Sequence, residues 1–251
     1  MWRIVLVLVA AAAAVALDEM VDRRVPASAC GERYPLVSRR IFQRQFLSPQ
    51  EVQFLVAITD RGMEQIPEEQ GGPTIMDPDQ SLVMGPGGNV KRTPKFSPGE
   101  LSQYAKLMRR LHARLLELHQ VEFLYHTQPT FIARLLPQQR QVHHVHDEYW
   151  HEHCDKNNTE HYDYSALVHL TDYGVNFTGG EFVFTTEPQD KQILPEAGML
   201  VTFASGAENP HRVNKVVSGK RLAWSTWWTC DPKFKFLQSQ LEMTTDDDDE
   251  L

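Results

Sequence analysis

The residues best suited to do chemistry are two histidines and an aspartate. His153 and Asp155 stand two apart in His151-Glu152-His153-Cys154-Asp155, and His211 follows far downstream in Glu208-Asn209-Pro210-His211-Arg212-Val213. In a β-strand successive side chains alternate between faces, so residues two apart share one. The spacing predicts a short strand over 151–155 that aims one imidazole and one carboxylate at a common point, with His211 returning to complete the set. Two imidazoles and a carboxylate on one face form the triad that holds non-haem Fe(II) and leaves coordination positions open.

The chain has 11 histidines, and those at 143, 144, 146, 151 and 153 form a cluster. A zinc site is the competing reading, but the cluster lacks Cys-x-x-Cys or His-Glu-x-x-His spacing. His143, His144 and His146 therefore read as polar residues of a loop or pocket rim. His151 shares the His153 face and rivals it as a ligand, although only His153 makes His-x-Asp.

Arg221 stands ten residues beyond His211, in Gly219-Lys220-Arg221-Leu222-Ala223-Trp224. A guanidinium is permanently charged, and its planar fork fits a carboxylate. His-x-Asp, a distant His and a basic residue ten positions on, in that order, resemble the Fe(II)/2-oxoglutarate dioxygenases. The nearest branch is the prolyl 4-hydroxylase-like one, and within it the 2-oxoglutarate and iron-dependent oxygenase domain-containing protein 3 group. The resemblance runs from about Pro129 to Asp231. It takes in Gly179-Gly180-Glu181-Phe182-Val183-Phe184 and Ala197-Gly198-Met199-Leu200-Val201-Thr202-Phe203, which look like the family's central strands.

The resemblance implies Fe(II) on His153, Asp155 and His211, and 2-oxoglutarate as co-substrate with its far carboxylate on Arg221. It also implies ascorbate dependence, release of succinate and carbon dioxide, and hydroxylation of a C–H bond. In the resembling enzymes a second group, often tyrosine, touches the far carboxylate from the strand after His-x-Asp. The matching position here is His169, in Leu167-Val168-His169-Leu170. That is a departure from the pattern, although a neutral imidazole still donates one hydrogen bond.

The elements that position these residues follow from periodicity. Ser48-Pro49-Gln50-Glu51 and Ser97-Pro98-Gly99-Glu100 are capping boxes with proline at the first helical position. The first starts a helix running to about Gly62. The second starts one of about twenty residues, with Leu101, Tyr104, Met108, Leu111, Leu115 and Leu118 in one apolar stripe. Between them, Glu64 to Thr93 is rich in Gly and Pro and reads as a long loop or lid. Tyr34-Pro35-Leu36-Val37 reads as a connector or edge strand. From Pro129 the period changes, and Thr130–Leu136, Tyr164–Leu170, Gly180–Thr185, Met199–Phe203 and Arg221–Thr229 are strand candidates. Helices followed by short strands predict a mostly β protein, a double-stranded β-helix of jelly-roll or cupin-like form, buttressed by N-terminal helices. Trp224, Trp227 and Trp228 read as its core.

Four segments follow: 1–16, 17–128 as helical support with the long loop, 129–231 as the dioxygenase core, and an acidic tail at 232–251. The chain begins Met1-Trp2-Arg3, then fourteen apolar residues ending in a small-x-small pattern. This reads as a secretory signal peptide, or alternatively a short membrane anchor. Asp248-Asp249-Glu250-Leu251 is close to an endoplasmic reticulum retrieval signal. Together they predict residence in the endoplasmic reticulum lumen, or a luminal domain on a single-pass anchor.

Membrane contact is expected only if the N-terminal segment is retained. Asn157-Asn158-Thr159 and Asn176-Phe177-Thr178 are glycosylation sequons. In an oxidising lumen three cysteines allow one bridge, expected as Cys30–Cys230 with Cys154 free. The net charge of −8, with no basic stripe, argues against nucleic acid.

The expected function is hydroxylation of a polypeptide or other luminal substrate, with proline suggested by the branch. The competing readings are a jelly-roll binding module in the same compartment, and a zinc- or manganese-dependent cupin-like hydrolase or isomerase. Arg221 tells against the last.

Overall fold

Two proline-led capping boxes start the two long helices. In α1 (Pro49–Gly62) and α2 (Pro98–His119), Ser48 and Ser97 accept from the backbone N–H of Glu51 and Glu100, whose carboxylates accept in return from the serine N–H groups. Each box satisfies two otherwise orphaned donors. The computed structural model describes residues 17–24, 30, 37–138, 149–185 and 189–236. The expected signal segment 1–16, His143, His144, His146 and the tail beyond 236 lie outside the described residues. Among the described residues no helix is long and apolar enough to cross a membrane.

The strands are β1 (Leu17–Arg24), β2 (Val37–Gln43), β3 (Gly72–Asp77), β4 (Leu82–Met84), β5 (Val90–Arg92), β6 (Tyr125–His126), β7 (Phe131–Leu136) and β8 (Tyr164–His169). After these come β9 (Phe177–Gly179), β10 (Phe182–Phe184), β11 (Lys191–Ile193), β12 (Leu200–Ala204), β13 (His211–Val213), β14 (Val216–Gly219) and β15 (Arg221–Thr229). A 10-stranded sheet runs β1-β2-β12-β8-β15-β7-β3-β4-β5, with β6 also on β15. Opposite it lie a sheet of order β11-β10-β13 and the pair β14-β9. All the pairings within these sheets are antiparallel. The architecture is a double-stranded β-helix with helices packed on the outside of its larger sheet.

Strand alternation divides the large sheet's side chains between two cores. Leu222, Trp224 and Trp228 of β15 join Val168, Leu200 and Ile132 in a cluster with Leu55 and Ile58 of α1 and Leu111 and Leu115 of α2. Trp224 donates its indole N–H to the Tyr104 hydroxyl of α2 at 3.2 Å. A second cluster, Phe42, Phe182, Phe184, Met199, Val201 and Phe203, fills the space between the sheets. Full burial of such side chains contributes roughly 1.5–3 kcal/mol each. Trp224 and Trp228 are core as expected, whereas Trp227 is only half-buried and lies on the inner face, stacked on Tyr162.

The Gly- and Pro-rich stretch expected as a loop or lid is instead sheet: β3 pairs with β7 from Gly72↔Leu136 to Met76↔Ile132, and β4 and β5 extend the edge. Its strands are so short that the Gly and Pro of their turns hide the alternation. Val37, expected in a connector or edge strand, begins β2, which lies inside the sheet between β1 and β12. Cys30 and Cys230 are joined by a disulfide, and Cys154 is free and buried.

Candidate active site

The three ligand candidates come from separate pieces of the smaller-sheet side. His211 opens β13, opposite Phe184 of β10. On its other flank it pairs with His153 in an isolated antiparallel bridge. Residues 151–155 form no strand beyond that bridge, a correction to the expected strand. The chain bends at once into a helical turn, α3 (Asp155–Asn158). Lys156 N–H donates to the Ser205 carbonyl and Thr159 N–H to the Asp155 carbonyl, so these donors are taken out of any ladder.

Convergence is achieved all the same. His153 Nε2 is 3.6 Å and His211 Nε2 3.8 Å from Asp155 Oδ1, and one ligand atom from each residue lies within 4.8 Å of the others. His151 is exposed and outside this group, its ring centroid 5.7 Å from that of His153.

The backbone sets the tautomers. His153 Nδ1 is 3.1 Å from the His151 carbonyl, and His211 Nδ1 is 3.0 Å from the Asn209 carbonyl. A carbonyl only accepts, so each Nδ1 carries the proton and each Nε2 presents its lone pair toward Asp155. Burial pushes the Asp155 carboxyl up, but His153, His211 and Ser165 outweigh it and hold it at about 2, ionised and ready to ligate. Burial lowers His211 toward the neutral form a metal needs. Burial also acts on His153, but there the contact with Asp155 prevails and raises its pKa. Protons and a cation thus compete for the same three atoms.

Several supporting residues were not singled out from the sequence. Ser165 of β8 donates to Asp155 Oδ2 at 2.5 Å and shares a 2.7 Å hydrogen bond with Ser205. The signal for it was a polar residue alternating with Leu167 and His169 on one face of an apolar strand. Arg40 of β2 donates to Asn209 Oδ1 at 2.6 Å and to the Glu208 carbonyl at 3.1 Å, while Asn209 donates to the Ala204 carbonyl at 2.8 Å. This clamps the turn that delivers His211. Phe182, Phe184 and Phe203 surround the His211 ring. His153 remains partly exposed, on the open side of the site.

Deeper on the inner face of the large sheet stand Arg221 and His169. His169 lies directly across from Ala223, and along β8 it stands four residues from Ser165, which reaches Asp155. Arg221 is 2% exposed and donates Nε–H to the Gly180 carbonyl at 2.9 Å. Gly180 has φ +69°, and a Cβ there would meet Arg221 Cδ at 3.0 Å, so glycine permits both the turn and the arginine. Arg221 Nη2 and both ring nitrogens of His169 are buried without a partner. Burial lowers Arg221 to about 10, still a cation at neutral pH. Burial and the adjacent arginine drive His169 far down, so it is neutral with one N–H to donate. Orphaned buried donors are costly, and an anion seated among them removes that cost.

Two imidazoles and a carboxylate that could hold a metal ion, with a buried cation on the same inner surface of a jelly roll, have the composition of a non-haem iron site. Residues 140–229 match the 2OG-Fe(II) oxygenase superfamily, and the segment is a 2OG-Fe(II) oxygenase domain. The chain is 39% identical over 139 residues to 2-oxoglutarate and iron-dependent oxygenase domain-containing protein 3 of Rattus norvegicus, covering 55% of this chain and 44% of that one. It is 43% identical over 79 residues to prolyl 3-hydroxylase 2 of Homo sapiens, covering 30% and 11%. The chain thus matches less than half the length of these curated relatives. An oxidoreductase of the 2OG-Fe(II) oxygenase family from Burkholderia pseudomallei shares the fold, with a TM-score of 0.51, 16% identity, and coverage of 74% of this chain and 81% of that one.

The family implies Fe(II) and 2-oxoglutarate, and the residues fit both. The N, N, O donor set suits Fe(II), and the unpartnered donors of Arg221 and His169 suit a carboxylate.

Proposed function

We propose that this protein is an Fe(II)- and 2-oxoglutarate-dependent dioxygenase that hydroxylates a polypeptide, at proline by analogy with its relatives, in the endoplasmic reticulum lumen. The observation that carries the reading is the pairing of a preset triad with orphaned buried donors on one inner surface of the roll. Bound iron would supply the oxidising chemistry, coupling decarboxylation of 2-oxoglutarate to succinate with insertion of one oxygen atom into a C–H bond.

The chain's own residues do the rest. His153, Asp155 and His211 would hold the metal. Ser165 and Ser205 fix the carboxylate rotamer. Arg221 would neutralise and orient the far carboxylate of the co-substrate, and His169 would donate a second hydrogen bond. The phenylalanines around His211 keep water from that flank. Ascorbate is proposed as the reductant that keeps the iron ferrous.

The Cys30–Cys230 disulfide supports an oxidising compartment, and Asn157 and Asn176 are both exposed for glycosylation. The proposed partner is a luminal polypeptide, with a membrane involved only through a retained N-terminal segment. The test is succinate formation from 2-oxoglutarate by the Fe(II)-loaded protein, with and without luminal extract. Succinate that rises with extract supports a polypeptide hydroxylase. No succinate in either case leaves a binding module, the alternative that the His169 departure keeps open.

A further inference from the structure

The departure at His169 has a counterpart on another element. Tyr149, just ahead of the metal-binding segment, packs against the cluster of Leu135, Phe177 and Val216. The same surface lies along Arg221: an added Cβ on Gly180 would touch Arg221 Cδ at 3.0 Å, Val216 Cγ2 at 3.0 Å and Phe177 Cε2 at 3.1 Å. The two polar ends are anchored on that wall, Arg221 Nε–H donating to the Gly180 carbonyl and Tyr149 Oη accepting from Val216 N–H at 3.0 Å. Tyr149 and Arg221 are close enough for each to bias the other's ionisation. Burial keeps the phenol protonated.

A phenol oxygen has one proton and two lone pairs. The bond from Val216 uses a lone pair, and no described residue takes the proton. Arg221 Nη2 and the His169 nitrogens also lack partners, and no described carboxylate pairs with Arg221. A carboxylate accepts about four hydrogen bonds, so a cation, an imidazole N–H and a phenol O–H around Arg221 supply the donors that one would need.

We propose that Tyr149 donates a hydrogen bond to the distal carboxylate of the co-substrate, restoring from a different element the hydroxyl that His169 does not carry. The inference rests on the co-substrate reading above. Anaerobic calorimetric titration of the Fe(II)-loaded protein tests it with two ligands: 2-oxoglutarate, and 2-oxopentanoate, which has a methyl group in place of the distal carboxylate. Tyr149→Phe is expected to weaken 2-oxoglutarate by about ten- to a hundredfold, the worth of one hydrogen bond to a charged group. It should leave 2-oxopentanoate affinity and iron stoichiometry unchanged.

Equal loss of both ligands would assign Tyr149 to holding the Val216 backbone and overturn the inference. Unchanged 2-oxoglutarate binding in Tyr149→Phe, with loss in Arg221→Ala, would overturn it and leave the co-substrate reading standing. No binding by wild type, with no effect of Arg221→Ala, would remove both. Wild-type protein gives an independent measure that needs no folded variant: 2-oxoglutarate, but not 2-oxopentanoate, should protect Tyr149 from nitration by tetranitromethane. Equal nitration with either ligand counts against the assignment.

Discussion

His153 and His211 face each other across a single hydrogen-bonded backbone pair, each N–H donating to the other's carbonyl at 2.9 Å. One bridge brings imidazoles 58 residues apart in sequence to a ring-centroid separation of 4.5 Å. The two histidines of the candidate metal site are therefore set side by side by backbone pairing. His153→Ala, Asp155→Ala and His211→Ala should each abolish stoichiometric Fe(II) binding, measured by elemental analysis, while circular dichroism stays that of the wild type. Full iron content in any one variant would remove that residue from the triad.

Ser165→Ala should weaken iron binding by about ten- to a hundredfold, the usual scale for losing a partner behind a ligand. The serine donates to the Asp155 oxygen at 2.5 Å and is itself held by Ser205. Competition against a chelator measures the affinity directly. An unchanged constant would mean that the short bond does not set the carboxylate.

Arg221→Ala should raise the 2-oxoglutarate requirement by roughly a hundredfold while iron still binds, since a charge-assisted contact is worth about 2–3 kcal/mol. Arg221→Lys should recover only part, because an ammonium lacks the planar fork. Anaerobic calorimetry distinguishes the three proteins.

Acid should destabilise the fold through His126. It is 4% exposed and contacts Thr130, and burial lowers its pKa from 6.5 to about 3. Below 6.5 the unfolded chain binds a proton that the folded chain does not. The stability is therefore fully present above 6.5 and is lost as pH falls toward 3. From pH 7 to pH 5 the loss is about 2 kcal/mol at this site. Denaturant unfolding at both pH values should show it, and His126→Gln should reduce the difference.

Peptide mapping without reduction should join Cys30 to Cys230 and recover Cys154 as a thiol. The bridge closes a loop of sequence separation 200. In the chain-entropy account its removal by Cys30→Ser with Cys230→Ser costs about 5 kcal/mol, read as a fall in the denaturation midpoint.

Parts whose signals are local are legible in the chain alone. Helix starts are written in Ser-Pro-x-Glu because capping is satisfied within four residues, and α1 runs to Gly62 as expected. The strand Arg221–Thr229 is legible because nine residues bounded by Lys220 and Cys230-Asp231 hold together as one β-rich run. The His-x-Asp, His and Arg set is nameable because metal and carboxylate chemistry restricts the residue types.

What depends on distant partners emerges only from the packed fold. Local pattern made 151–155 a strand, but only the pairing with β13 and the Ser205 carbonyl reveals a bridge followed by a helical turn. The clamp of Arg40 on Asn209 spans 169 positions, and the bond of Tyr149 to Val216 spans 67. Neither leaves a trace in periodicity, which reports how neighbouring residues alternate between water and core. Which lone pairs and orphaned donors converge is settled by the packing of two sheets against each other.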